Sequence, residues 1–397
     1  NISGNNITLE EVLRNSLIVD EGDPYNKILF NKSLNKIKGK NIFSKVTSEM
    51  KNGSEPNLKI IEINVIEKPT GEISLGAGVG TNGSSIGGGI KENNFLGKGI
   101  KLDTNLMVSD QSIKGKFTYI KPNFNYGDND LYTSIESSTT DNLTESGYKT
   151  SNLGLSFGTR FEQYDNLFFK PEILTNVEKL ETTSTASAAI KKQKGDYFDI
   201  NFAYGLDYDV RDRSYQPTEG YKTSIYQNIP LMSKNNEIIN GFEVNQYKTL
   251  VSDMVARVSV YGRAVNSITG DDVRLSKRIF IPSYRLRGFE SGKVGPVENG
   301  DYVGGNYATS FNLSTTLPQI LPSFENTDFN LFYDAANVWG VDYDSSINES
   351  NAIRSAVGVG MDVLTPIGPL NFSFSQPITK KNSDKTETFR FNIGTTF

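Results

Sequence analysis

Asp207, Asp209 and Asp212 lie close enough along the chain to offer carboxylate oxygens to a metal ion. Strand alternation and the neighbouring Arg211 and Arg213 favour another reading, in which they are charged residues on a polar face or rim. With Cys 0 and His 0, the usual zinc ligands are missing. The same absence removes the commonest general base, every Ser-His or Cys-His nucleophile, and all disulfides. No glycine-rich loop ends in Lys-Ser or Lys-Thr to cradle a phosphate. A formal net charge of -5 leaves no electrostatic footprint for nucleic acid. The expectation is a protein without metal, cofactor or enzymatic active site, one that works through surfaces and backbone.

The elements that would carry such surfaces are strands. The chain closes on Phe389-Arg-Phe-Asn-Ile-Gly-Thr-Thr-Phe397. Phe389, Phe391, Ile393, Thr395 and Phe397 share one parity; Arg390, Asn392, Gly394 and Thr396 share the other. A strand sends alternate side chains to opposite faces, so one face is apolar and ends in an aromatic. This looks like the last strand of an outer-membrane barrel. Mean hydropathy is -0.41, but a membrane barrel shows only every second residue to lipid. No run approaches the ~18–20 apolar residues of a spanning helix. Tyr 19 and Phe 23 against Trp 1 suit aromatic girdles.

From Gly71 to Phe397 no convincing helix is visible, and about sixteen alternating runs follow one another. Phe198, Ile200, Phe202, Tyr204, Leu206, Tyr208 and Val210 oppose Asp199, Asn201, Ala203, Gly205, Asp207 and Asp209. A soluble sandwich also alternates. Charge in mid-strand on the polar face, and runs of roughly ten residues or more, favour the membrane. An even number of strands closes with no edge exposed to lipid. The interval Asn266–Asp301 is too long for a hairpin and reads as a functional loop.

Residues 1–68 differ in texture. Thr8-Leu-Glu-Glu11 reads as a capping box, and a second helix is expected after Pro24, with Phe30, Leu34 and Ile37 on one face and Gly39 as its stop. Runs Phe43–Met50 and Leu58–Glu67 read as strands. Little more than Asn1-Ile2-Ser3 stands before Gly4 for a first strand, and the chain opens on Asn1, so it reads as processed or truncated.

Several motifs stand in a fixed order: Gly4-Asn5, Glu21-Gly-Asp-Pro-Tyr-Asn26, Glu67-Lys-Pro-Thr-Gly71, Lys91-Glu-Asn-Asn-Phe-Leu-Gly-Lys-Gly99 and Asp212–Gly220. They continue with Leu286-Arg-Gly-Phe289, Gly304-Gly-Asn306 and Phe332-Tyr-Asp-Ala-Ala-Asn-Val-Trp339. In this order they resemble the BamA family of outer-membrane protein assembly factors, in the superfamily that joins POTRA modules to a transmembrane barrel. The resemblance covers essentially the whole chain. It implies a POTRA module over 1–68, the last of several, and a barrel over 69–397.

The resemblance further implies that Leu286, Arg287, Gly288 and Phe289 fold back into the barrel and latch onto its wall. The family's wall carboxylate falls on Asp334, which parity also places on the polar side. Where the family has a Glu on the preceding strand, this chain has Ser314. First and last strands would meet in a lateral seam, Ile73, Leu75, Gly76, Gly78 and Gly80 against Phe389, Phe391, Ile393, Gly394 and Phe397. The glycines suit a weak seam; they equally suit crowding by the inner loop or tight curvature.

By the same resemblance the substrates are unfolded outer-membrane protein precursors. The implied partners are accessory assembly lipoproteins, periplasmic chaperones and outer-membrane lipid. The site of action is the cell outer membrane, with residues 1–68 in the periplasm. Two-partner secretion and TamA-type barrels share this plan, and a passive porin shares the barrel alone.

Overall fold

The computed structural model describes residues 1–393 apart from 20, 56–57, 81–82, 144–146, 214–215, 252–253, 299, 318–326, 343–346, 348–351 and 366–367. Residues 1–67 form a small α/β module: β1 (Ile2–Ser3), α1 (Glu10–Arg14), α2 (Lys27–Gly39), β2 (Phe43–Asn52) and β3 (Lys59–Glu67). Strand order is β1-β3-β2, with Ile2 beside Ile63 in parallel and β2 antiparallel. β3 is therefore the centre of the sheet and β2 one of its edges. Asn26 caps α2 by accepting from the backbone N–H of Ile28 and Leu29. Phe30 and Ile37 then point into a core with Leu13, Ile42, Ile63 and Val65, each such burial stabilising by about 1.5–3 kcal/mol. Gly4 has φ +89°, and a Cβ there would lie 1.9 Å from the Val65 carbonyl oxygen, which accounts for a glycine at this crossing.

The capping box read from Thr8–Glu11 does not form. The N-cap of α1 is Leu9, with no side-chain cap. The Thr8 hydroxyl instead accepts from Asn94 at 2.9 Å, and the Glu67 carboxylate accepts from the Thr8 backbone N–H at 2.6 Å. A partner on the barrel has displaced the local one. The Leu9 N–H donates to the Gly97 carbonyl at 2.8 Å, and Lys36 pairs with Asp128 at 2.8 Å. Through these contacts the module sits on two turns at one end of the barrel.

The barrel strands run β4 (Gly71–Gly80), β5 (Gly83–Phe95), β6 (Ile100–Ser109), β7 (Ser112–Lys121), β8 (Asp130–Asn142) and β9 (Tyr148–Tyr164). They continue as β10 (Leu167–Thr182), β11 (Gly195–Asp209), β12 (Gly220–Ser233), β13 (Glu237–Val251) and β14 (Met254–Ser267). A two-stranded hairpin in the following loop, β15 (Val297–Glu298) and β16 (Asp301–Tyr302), stands apart from the barrel. The last barrel strands are β17 (Tyr307–Thr316), β18 (Thr327–Trp339), β19 (Arg354–Thr365), β20 (Gly368–Thr379) and β21 (Phe389–Ile393). These sixteen strands close antiparallel on themselves, β21 returning to β4. Closure satisfies backbone groups that lipid cannot. Leu106, Ile113, Leu155, Phe157, Ile225 and Leu331 are exposed on the outer wall, while Ser134, Asp199, Asn201, Glu237, Ser310 and Asp334 are buried on the inner one.

One expectation for the barrel region fails: a helix does occur there. α3 (Ala188–Lys192) follows Ser187, whose hydroxyl accepts from the Ile190 N–H, and Ile190 packs with Leu180, Tyr197 and Leu275. Five residues are too few to display a helical period. The three aspartates met first lie apart in their roles. Asp207 pairs with Lys170 and accepts from Ser224, and Asp209 pairs with Arg211. In the β11–β12 turn the Thr218 hydroxyl, with the N–H groups of Thr218 and Glu219, holds the Asp212 carboxyl down to about 2.

Candidate functional site

The loop between β14 and β17 enters the barrel and is held to its wall at successive arginines. Arg274 is buried with Glu178, Asp199 and Glu237 at 3.5, 2.6 and 3.0 Å, from β10, β11 and β13. Its guanidinium also stacks 4.7 Å from the Tyr197 ring centre. Arg278 pairs with Asp342 at 2.6 Å. Arg285 pairs with Glu243 at 2.8 Å and lies over Tyr261. A planar fork against a carboxylate fixes direction as well as charge, so these three anchors define the course of the loop up to its tip.

At the loop tip, Arg287 grips Asp334 with both prongs, Nε to Oδ2 at 2.7 Å and Nη2 to Oδ1 at 2.8 Å. Its backbone N–H donates to the same carboxylate at 3.1 Å, and the guanidinium lies 3.4 Å from the Phe332 ring centre. Asp334 is fully buried. Leu286 and Phe289 flank the arginine and bury into an apolar cluster with Val338, Ala336 and Ala356. Gly288 has φ +89°, and a Cβ there would stand 3.0 Å from Ala356 Cβ and 3.2 Å from Ser375 Cβ. Conformation and space both require glycine. Ser314 faces the lumen by parity but lies opposite Phe332 and makes no side-chain hydrogen bond among the described residues. Asn312 lies opposite Asp334, and its amide donates at 2.8 Å both to Asp334 and to the Arg285 carbonyl.

The loop tip also pairs along the segment that leads into β21. Phe289 bridges Thr386 antiparallel. The Glu387 N–H donates to the Gly288 carbonyl at 3.0 Å, Glu290 N–H to Lys385 at 3.1 Å, and Lys385 N–H to Lys293 at 3.1 Å. Arg390, buried on β21, contacts Ser283, the Phe289 carbonyl and Glu387. Arg354 pairs with Asp384 of the same segment at 3.0 Å.

Among the described residues β21 meets β4 at Asn392–Gly80 and Ile393–Val79, and β4 pairs with β5 from Gly71–Glu92 through Gly80–Gly83. Ile73 and Leu75 point outward from β4, 78% and 87% exposed; Gly76, Gly78 and Gly80 alternate with that outward set. Phe389 packs against Phe374 and Phe391, ring centres 4.7 and 6.0 Å away. Gly394 and Phe397 lie outside the described residues.

Residues 94–397 match the Omp85 superfamily domain. The chain belongs to the Omp85 superfamily. Among Omp85 relatives, the outer membrane protein assembly factor BamA of Neorickettsia risticii (strain Illinois) is 25% identical over 409 residues, spanning 100% of this chain and 54% of that protein. BamA of Neisseria meningitidis serogroup B is 23% identical over 100% of this chain and 56% of its own length. The human sorting and assembly machinery component 50 homolog is 24% identical over 54% of this chain and 49% of its own. The chain thus spans about half the length of the curated relatives it matches. In fold it is similar to BamA from Haemophilus ducreyi lacking POTRA domains 1-3, with a TM-score of 0.86, 24% identity, and coverage of 100% of this chain and 83% of that one. CdiB from Acinetobacter baumannii follows at a TM-score of 0.64 and 13% identity, over 98% of this chain and 72% of that one.

Proposed function

We propose that this Omp85 barrel inserts precursors of other β-barrels into the outer membrane, using the β4 edge at the β21–β4 seam as a template. The observation that supports this most is that β4 and β21, the first and last barrel strands, are neighbours with no hairpin joining them. β4 is tied to β5 through the turn at Gly80–Gly83, whereas it meets β21 by strand pairing, as at Asn392–Gly80 and Ile393–Val79. An unfolded chain entering lipid carries unpaired N–H and C=O groups, each costing several kcal/mol. An opened seam would offer those groups a partner before they meet hydrocarbon. The substrate's own folding then supplies the driving force.

In this reading residues 1–68 are a POTRA module in the periplasm that receives precursors, with accessory lipoproteins and periplasmic chaperones as partners. The Arg287–Asp334 grip is a latch that keeps the inner loop seated while the seam works. Leu286 and Phe289 packed inside the lumen weigh against an open, porin-like channel. The test is a cross-link between Val79→Cys and Ile393→Cys, a register pair in a chain that has Cys 0. Oxidation is expected to stop insertion of client barrels into vesicles, and reduction to restore it. Full activity with the seam quantitatively closed rules out lateral opening.

A further inference from the structure

A cavity of about 450 Å³ lies where the module meets the barrel, lined by Leu9 from the module, Tyr119 and Phe124 from the barrel, and Lys40, Lys98 and Lys121. Glu11 is the single acid in that lining. Lys36 is already taken by Asp128. Lys40 donates to the neutral Asn123 amide oxygen at 3.1 Å, and Lys121 lies 5.6 Å from the Phe124 ring centre. Among the described residues no carboxylate stands within ion-pair distance of Lys40, Lys98 or Lys121. Burial, and next the charge of Lys101, push the Lys40 ammonium down to about 8, against the opposing pull of Asp130 and Asp128. The cavity therefore sets three lysines against one lining acid, with none of the three in an ion pair among the described residues.

Parity fixes which side of the barrel this is. Leu106 and Val108 of β6, and Ile113 and Phe117 of β7, are exposed on the outer wall. Leu102 faces Tyr119 in the same register. Ile100, Tyr119 and Lys121 therefore belong to the outer, lipid-facing set. The barrel wall of the cavity is not lumenal; it lies where outer-wall strands reach the headgroup level. Ile7, Leu9, Leu96 and Phe124 are exposed around it, apolar neighbours that acyl chains would cover. Basic side chains beside exposed apolar ones, at the end of lipid-facing strands, match an anionic headgroup with its chains attached.

We propose that the module–barrel junction binds the phosphate headgroup of an anionic phospholipid from the leaflet on the module side, clamped by Lys40, Lys98 and Lys121. The lipid bridges the two parts of the molecule, since Lys40 belongs to the module and the other two to barrel strands and turns. This requires only that the outer wall faces lipid, so it stands or falls independently of client insertion.

The test places a reporter at the cavity. Full chain carrying Tyr119→Trp is reconstituted into phosphatidylcholine vesicles containing equal mole fractions of either brominated phosphatidylglycerol or brominated phosphatidylcholine. Trp339, which shares the outward parity of Leu331 on β18, is replaced by Phe in the same chain, so that the reporter is the single tryptophan. The expected local enrichment of phosphatidylglycerol is on the order of fivefold per lysine engaged. It should fall toward that of phosphatidylcholine in Lys40→Gln/Lys98→Gln/Lys121→Gln. Equal quenching by the two lipids with the lysines intact overturns the proposal. So does a preference erased by millimolar inorganic phosphate, which assigns the cavity to a free anion. If the triple variant fails to fold, Lys98→Gln and Lys121→Gln singly, both exposed side chains, must each lower the preference; no change in either also overturns it.

Discussion

Replacing Arg287 by Ala tests whether the loop tip is held by its ion pair or merely by packing. Removing one partner of a buried pair costs about 3–5 kcal/mol because the other charge is stranded. Here Asp334 keeps the Asn312 amide at 2.8 Å and the residue-287 backbone N–H at 3.1 Å, and the Arg287 side chain is 22% exposed. Those two donors and the partial exposure reduce the electrostatic loss to about 2–3 kcal/mol, and the ring contact with Phe332 adds about 0.5–1 kcal/mol. The other arginine anchors remain, so the loss appears as local opening rather than unfolding. Hydrogen exchange at the Glu290, Lys385 and Glu387 amides, which join the tip to the segment before β21, should quicken about a hundredfold. In Arg287→Ala/Asp334→Ala the stranded charge is gone, and much of the effect should be recovered. Additive single-site effects, or a change below about threefold, would refute the claim that charge holds the tip.

Three further outcomes follow from the same geometry. Asn312→Ala should weaken the tip by about 1–2 kcal/mol in that exchange assay, while Ser314→Ala should stay within about 0.5 kcal/mol. Lys40 titrates near 8 in the docked module and near its usual 10.5 when released, so its protonated form opposes docking. Its penalty is complete below about pH 8 and is relieved as pH rises toward 10.5. Module stability in urea should gain with pH across that window, and Lys40→Met should remove that gain. In β2, adjacent residues direct their N–H groups alternately to β3 and to the free edge. Of Thr47→Pro and Ser48→Pro, the one facing the free edge should leave the module folded while lowering client assembly in reconstituted vesicles; unchanged assembly in both removes β2 as a docking edge.

Side-chain alternation carried most of the architecture, because a residue's face in a strand depends only on its parity. Parity alone puts Asp334 and Asp199 on the inner wall, and Ile73 and Leu75 on the outer one. What parity leaves open is distance along a strand. Asn312 and Ser314 share a face, yet two residues shift a side chain by roughly 7 Å, and only the pairing of β17 with β18 selects Asn312. The burial of Arg274 against Glu178, Asp199 and Glu237 had no local signal, since its three partners come from β10, β11 and β13. The tip's attachment to residues 385–387 is made by main chain, which leaves no mark on residue type. The Thr8 capping box misled for the converse reason, since Asn94, far along the chain, outcompeted the local partner.

The inner loop has partners on both sides of itself in the chain. Arg274 depends on strands that precede it, while Arg287, Gly288 and Glu290 depend on β18 and on residues just before β21. Such a plug is incomplete until the final strand exists, and it fills the space that later strands must surround. The cylinder is thus wrapped about its own contents, in the manner of a mould cast around a core. The cylinder closes where β21 meets β4, the junction that the proposed templating would have to reopen.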